Sequence, residues 1–247
     1  MSKKNLKMVI EYDGTDFLGW QIQKSGRTVQ GEIESALKKI FNTDSITLIG
    51  SGRTDSGVHA KAQPAHVKVD TEMECEKIQR AINGNIGNDV YISKCLFVDE
   101  NFHARFDAKA REYHYLMTES FSPLNRYKEW FLPRKMNNEL LIECSHLIIG
   151  KHDFTSFCKA NSEVENKICT IFNANWEIND VHRMFIIRAN RYLQHMVRYL
   201  VGTMVEVARG RYTVKQFESM LNGKQSDDIM VYRAPACGLF LWKVEYE

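Results

Sequence analysis

Arg53, Asp55 and His59 put a guanidinium, a carboxylate and an imidazole within seven residues of the run Gly50-Ser51-Gly52-Arg53-Thr54-Asp55-Ser56-Gly57-Val58-His59-Ala60. The glycines let the backbone turn tightly and approach a ligand closely, so Asp55 stands at the centre of a loop rather than on a regular element. Such a carboxylate serves as a nucleophile, or the run is a surface turn with solvated charges. An aspartate that attacks at neutral pH must stay ionised where water is scarce, which calls for a cation with a planar, two-pronged head. Arg198 has that head. Tyr192, His195 and Arg198 recur at the i, i+3 spacing of a helix, while Leu193, Met196, Val197 and Leu200 form an apolar stripe. The same spacing fits a surface ion pair of little worth.

Cations and aromatics interleave in a second stretch, where Arg105, Lys109 and Arg111 alternate with Phe102, His103, Phe106 and Tyr113. That pattern suits RNA backbone and bases. Arg183, Arg188, Arg191, Arg198, Arg209 and Arg211 make another basic set, and a charge run of this kind also reads as a solvated face. Lys3, Lys4 and Lys7 read as a solvated N-terminal edge. Asp13-Gly14-Thr15-Asp16 is set aside as a phosphatase loop because its companion acidic and lysine motifs are missing, and His152-Asp153 is set aside as a metal site for want of further ligands.

The 247 residues suffice for one large or two small domains, and 44% apolar content supplies a substantial core. Lys and Arg total 33 against 31 Asp and Glu, so the net charge of +2 gives no global attraction to nucleic acid. Any phosphate-binding surface must be local. Cys75, Cys95, Cys144, Cys158, Cys169 and Cys237 show no C-x-x-C pair and no zinc spacing, which points to free thiols in a reducing compartment. The N-terminus lacks the apolar core of a signal peptide, and no apolar stretch approaches the roughly 20 residues of a membrane span. A cytoplasmic protein is expected.

Hydrophobic period predicts strands over 6–12, 46–49, 65–69 and 90–98, with helices over 29–41 (Thr28 as N-cap) and 74–83 (stopped by Gly84). The order is βαββαβ. From 113 a similar series follows: strand 113–117, helix 139–149 ended by Gly150, strands 171–178 and 184–189 around a turn at Asn179-Asp180, helices 192–207 and 214–221, and a strand over 239–246. An α+β fold of two ferredoxin-like halves, 1–108 and 109–247, is expected, its mostly antiparallel strands joined into one central sheet with helices on one face. With no Pro/Gly/Ser-rich linker between the halves, the expected site is a cleft at their junction.

Several ordered blocks resemble the tRNA pseudouridine synthase A (TruA) family. Arg53-Thr54-Asp55 matches its catalytic motif, preceded by Tyr12-Asp13-Gly14, Gly19-Trp20-Gln21 and Thr28-Val29-Gln30. Phe102-His103-Ala104-Arg105, Arg111-Glu112-Tyr113, Gly150-Lys151-His152-Asp153-Phe154, Met196-Val197-Arg198 with Gly202-Thr203, and Ala234-Pro235 with Gly238-Leu239 follow in the family's order. The resemblance spans nearly the whole chain. It implies an isomerase that converts uridine to pseudouridine at positions 38, 39 and 40 of the tRNA anticodon arm, without a cofactor or metal, as a homodimer. By the same resemblance Asp55 is the nucleophile, Arg198 its partner, and Tyr113 the residue that stacks on the base and moves a proton. Arg53 would fill the space left by the flipped uridine and Leu239 would wall the pocket, although Tyr113 and Leu239 also read as ordinary strand residues. Arg105, Arg111 and His59 complete the substrate-binding set, His59 by supporting the loop. Ser51, Ser56, Ile86-Gly87 and Ala208-Arg209-Gly210 depart from the usual pattern without removing a catalytic group. The alternative is a non-catalytic RNA-binding module of two ferredoxin-like units, in which a carboxylate at the centre of a cationic loop would only repel phosphate.

Overall fold

The computed structural model describes residues 3–159, 164–221 and 230–247. The fold is mixed α+β, with mostly antiparallel strand pairing and, among the described residues, five α-helices. It packs as two compact units, Met1–Lys109 with Phe240–Glu247, and Ala110–Leu239.

In the first unit β1 (Lys3–Tyr12) alternates cleanly, with Leu6, Met8 and Ile10 fully buried and Lys7, Val9 and Glu11 on the other side. It lies between β3 (His59–Asp70) and β4 (Val90–Val98), antiparallel to both. Two helices cover the buried side chains. α1 (Val29–Phe41) starts where Thr28 Oγ1 accepts the Gly31 N–H at 3.3 Å and ends at the left-handed Asn42, φ 49°, a cap worth about 1 kcal/mol. α2 (Cys75–Asn83) stops at Gly84. Val29, Ile33, Leu37, Ile78 and Ile82 are fully buried from these helices, each contributing roughly 1.5–3 kcal/mol of hydrophobic stabilisation.

Strands of this unit differ from the sequence expectation, β3 beginning at His59 rather than at 65. β2 is only Ile49–Gly50, paired with β3, rather than 46–49. The Leu48 backbone is bonded instead by helix side chains, its N–H donating to Glu34 Oε1 at 2.8 Å and its carbonyl accepting from Gln30 Nε2 at 3.1 Å. The final strand, β10 (Leu239–Glu245), follows the second unit in sequence but pairs in parallel with β3 of the first, through Phe240↔His59 and Leu241↔Ala60. Stacking of the Phe240 and His59 rings at 4.5 Å and a hydrogen bond from the Tyr246 hydroxyl to the Ala104 carbonyl at 2.9 Å hold it there.

In the second unit β5 (Ala110–Thr118), β9 (His182–Ala189), β8 (Ile168–Asn179) and β7 (Gly150–Asp153) lie side by side in that order, all antiparallel, and β6 (Trp130–Phe131) runs parallel to the end of β5. The β8–β9 hairpin turns at Asp180, φ 41°, where the Asn-Asp pair predicts it. α3 (Asn138–Leu147), α4 (Met196–Ala208) and α5 (Val214–Leu221) complete the unit. α4 begins four residues later than the period of 192–207 suggests, because His195 takes φ 65° and the Tyr192 hydroxyl is held by the Ile187 and Arg111 carbonyls at 2.9 and 3.2 Å. Tyr192 and His195 therefore do not share a helix face with Arg198. The chain 232–234 lies tightly on α4: a Cβ on Gly202 would stand 2.0 Å from the Tyr232 carbonyl oxygen.

Candidate active site

The Asp55 loop runs between β2 and β3 and is bonded on both sides of the carboxylate. Upstream, the Ser51 N–H donates to the Pro64 carbonyl at 2.8 Å, the Ser51 hydroxyl to Gln63 Oε1 at 3.1 Å, and Gln63 Nε2 to the Gly52 carbonyl at 2.7 Å. Thr54 is buried, its Oγ1 2.7 Å from the Tyr12 hydroxyl and its carbonyl accepting the Trp20 N–H at 3.1 Å. Gly19 must be glycine here: its φ is +100°, and a Cβ would approach the Thr54 carbonyl oxygen to 2.6 Å. Downstream, the Asp55 carbonyl accepts the Val58 N–H at 3.2 Å across a turn with Gly57 at φ 77°, and Ser56 Oγ donates to the Phe17 carbonyl at 3.1 Å. His59 is 1% exposed, its Nδ1 accepting the Gly14 N–H at 3.0 Å and lying 3.2 Å from Asp13 Oδ1. The ring thus ties the start of β3 to Asp13 and Gly14. Within this frame Asp55 is half-buried and Arg53 exposed. A carboxylate on so fixed a backbone is preorganised for attack or for stabilising positive charge. Tyr12, Trp20 and Gln63 carry no spacing signal that would have marked them as its supports.

In the second unit Arg198 is 8% exposed. Its Nε donates to the Ala234 carbonyl at 2.8 Å, and its own carbonyl accepts the Ala234 N–H at 3.0 Å. Nearby, the Tyr115 hydroxyl donates to the Pro235 carbonyl at 2.9 Å, and burial pushes its pKa well above the ordinary phenol value. The Ala-Pro block is thereby clamped to α4 and β5. Tyr113 is half-buried on β5, its ring 5.0 Å from that of Tyr192 at 84°; burial holds the Tyr192 hydroxyl far above its usual pKa. Arg111 Nη1 donates to the Asn190 carbonyl at 2.8 Å, and Leu239 is 5% exposed.

The two basic stretches separate. Arg105, Phe106 and Lys109 are exposed. The later set is largely consumed by structure: Arg183 is 4% exposed, with Nη2 2.7 Å from Glu119 and Nε donating to Asn138 at 2.8 Å. Arg209 and Arg211 flank the buried Glu206 at 2.7 and 3.0 Å. The counter-charge of Arg183, Glu119, is distant in sequence, whereas Arg209 and Arg211 find theirs close by and the Arg211 side chain stays exposed.

All six cysteines are free, and burial pushes Cys95 and Cys144 up to about 12 and Cys169 to about 11, far from reactive thiolates. Among the described residues no group of three His, Cys, Asp or Glu is placed to hold a metal, and no helix is long and apolar enough to cross a membrane.

His66 gives the first unit a pH dependence. It is 4% exposed and accepts the Ala104 N–H at Nδ1, 3.1 Å; burial, then the neighbouring His103, lowers its pKa, with Lys68 adding to this and a backbone bond at Ile49 and Asp107 opposing it. The native state favours the neutral ring, so this contribution to stability is intact above the unfolded value near 6.5 and is lost as pH falls below it. Melting temperature should drop between about pH 8 and pH 5.5, and His66→Gln, which keeps an acceptor but does not titrate, should flatten that slope. An identical slope in the variant excludes His66 as the source.

The family model described as tRNA pseudouridine synthase matches residues 8–107 and 145–247. A tRNA pseudouridine synthase A of Bacillus pumilus (strain SAFR-032) is 38% identical over 246 residues, covering 98% of this chain and 99% of that protein. One of Listeria welshimeri serovar 6b is 37% identical over 247 residues, covering 98% of each. Among solved structures, a chain of a Cbf5-Nop10-Gar1 complex aligns over 81% of this chain and 44% of its own length, at 13% identity and a TM-score of 0.35, a likeness too distant to bear on fold or chemistry.

Proposed function

The chain belongs to the tRNA pseudouridine synthase family, a family of isomerases, and from that premise we propose that it converts uridines 38, 39 and 40 in the anticodon arm of tRNA to pseudouridine, with Asp55 as the nucleophile. The observation that carries this reading is the Asp55 loop, held rigid on both flanks while its carboxylate remains half-buried. The reaction breaks the bond from ribose C1′ to N1, turns the base and joins C1′ to C5; the C5 proton leaves and N1 regains one. Oxidation state is unchanged. Asp55 attacks C1′ or C6, or promotes cleavage through a glycal, and the chemistry of a fixed carboxylate suits all three routes.

By family likeness Arg198 partners Asp55; it is buried, with its Nε committed to the Ala234 carbonyl, and its planar, two-pronged head suits a carboxylate. Tyr113 stacks on the turned base and takes part in removing the C5 proton. A paired uridine must leave its stem to react; exposed Arg53 fills the gap, Leu239 lines the base pocket, and Arg105 and Arg111 hold the RNA while His59 braces the loop. The order β1-α1-β2-β3-α2-β4 of the first unit suits a ferredoxin-like half, and by family likeness the enzyme is a cytoplasmic homodimer that uses no cofactor or metal. Purified protein mixed with tRNA transcript carrying tritium at uridine C5 should release tritium. No release with folded tRNA and folded protein defeats the reading and leaves the RNA-binding module in its place.

A further inference from the structure

Residues 102–107 of the first unit are anchored repeatedly and yet carry an aromatic ring in solvent. Asn5 Nδ2 donates to the Phe102 carbonyl at 2.9 Å, and Lys7 Nζ lies 4.5 Å from the Phe102 ring centroid and 3.9 Å from that of Tyr246. The Tyr246 hydroxyl holds the Ala104 carbonyl at 2.9 Å while buried His66 holds the Ala104 N–H at 3.1 Å. His103 Nδ1 accepts the N–H groups of Arg105 and Phe106, both at 3.2 Å, and the His103 N–H donates to Asp107 Oδ2 at 2.8 Å. On this base the Phe106 ring stacks against His103 at 4.2 Å and 26°, with the Arg105 guanidinium 5.8 Å from its centroid. Phe106 is nevertheless 74% exposed.

A phenylalanine that served packing would be turned inward, and a flexible tip would not need so many anchors. A fixed aromatic face beside a guanidinium is instead the arrangement that receives an unstacked nucleobase, since every base offers a π-face and the adjoining phosphate seeks the cation. We propose that Phe106 is a base-stacking residue for an unpaired nucleotide of the RNA substrate, with His103 backing its ring and Arg105 taking the neighbouring phosphate. The proposal rests on the reading of tRNA as substrate and assigns Phe106 to binding, apart from the Asp55 chemistry.

The test is a series of Phe106→Ala, Phe106→Leu, Phe106→Trp and Arg105→Ala, each measured for tRNA Kd against salt, for KM and kcat by tritium release, and for melting temperature. Phe106→Ala should raise Kd and KM by about tenfold or more, leaving kcat within about twofold, and the salt slope unchanged. Melting should stay at the wild-type temperature, because the ring is exposed. Tryptophan should restore binding and leucine should not, as only a π-face stacks. Arg105→Ala should reduce the salt slope by about one. Wild-type affinity in Phe106→Ala, full binding by the leucine variant, or a changed oligomeric state with unchanged RNA affinity each overturns the proposal. If wild-type protein binds tRNA but releases no tritium, the isomerase reading fails while the Kd series still decides the stacking.

Discussion

Asp55→Asn is expected to fold and bind tRNA normally and to lose isomerisation by more than about 10³-fold. The amide is nearly isosteric, and bonds through the Ser51, Gly52, Thr54 and Asp55 backbone and through the Tyr12, Ser51, Gln63 and Ser56 side chains shape the loop. What the substitution removes is the negative charge, with which the side chain attacks carbon or stabilises positive charge at C1′. Single-turnover tritium release at saturating enzyme, alongside Kd and melting temperature, separates chemistry from binding and folding. Near-normal turnover in the pure variant ends the nucleophile assignment.

Arg198→Lys should cut the single-turnover rate steeply while changing tRNA affinity little. Lysine keeps the charge but loses the planar fork, so the Asp55 carboxylate is less well oriented. The arginine also has structural work, since its Nε holds the Ala234 carbonyl, a hydrogen bond to a charged group worth about 1.5–3 kcal/mol. The rate must therefore be read well below the variant's melting temperature. A purely structural role lowers melting and leaves the rate of the folded variant intact. A phosphate contact would instead weaken binding and lower the salt slope by about one. Arg198→Met, without charge, should lose more activity than the lysine variant.

Elements with a long, clean period were legible in the sequence: α1, β4 and α5 begin and end where their side-chain patterns place them. Misplaced elements are those whose limits depend on distant groups. Gln30 and Glu34 occupy the backbone of Leu48 and shorten β2, and the Tyr192 hydroxyl delays the start of α4. β7 lies in Gly150-Lys151-His152-Asp153, a stretch too short to show a period, and pairs with β8 as a strand. The candidate site divides in the same way. Residue types and glycine spacing marked the Asp55 loop, but no local pattern announces that Tyr12 reaches Thr54 or that Gln63 reaches Gly52. Charge sign, likewise, cannot tell exposed Arg105 from Arg183 buried against Glu119.

The most direct measurement of the central claim compares two tRNA transcripts labelled with tritium at uridine C5, one with uridines at positions 38, 39 and 40 and one with cytidines there, each incubated with wild-type protein and with Asp55→Asn. With Asp55 as the nucleophile, tritium is released from the first transcript by wild-type protein alone, with background release in the other three reactions. Equal release from both transcripts, or release by Asp55→Asn at the wild-type rate, contradicts it.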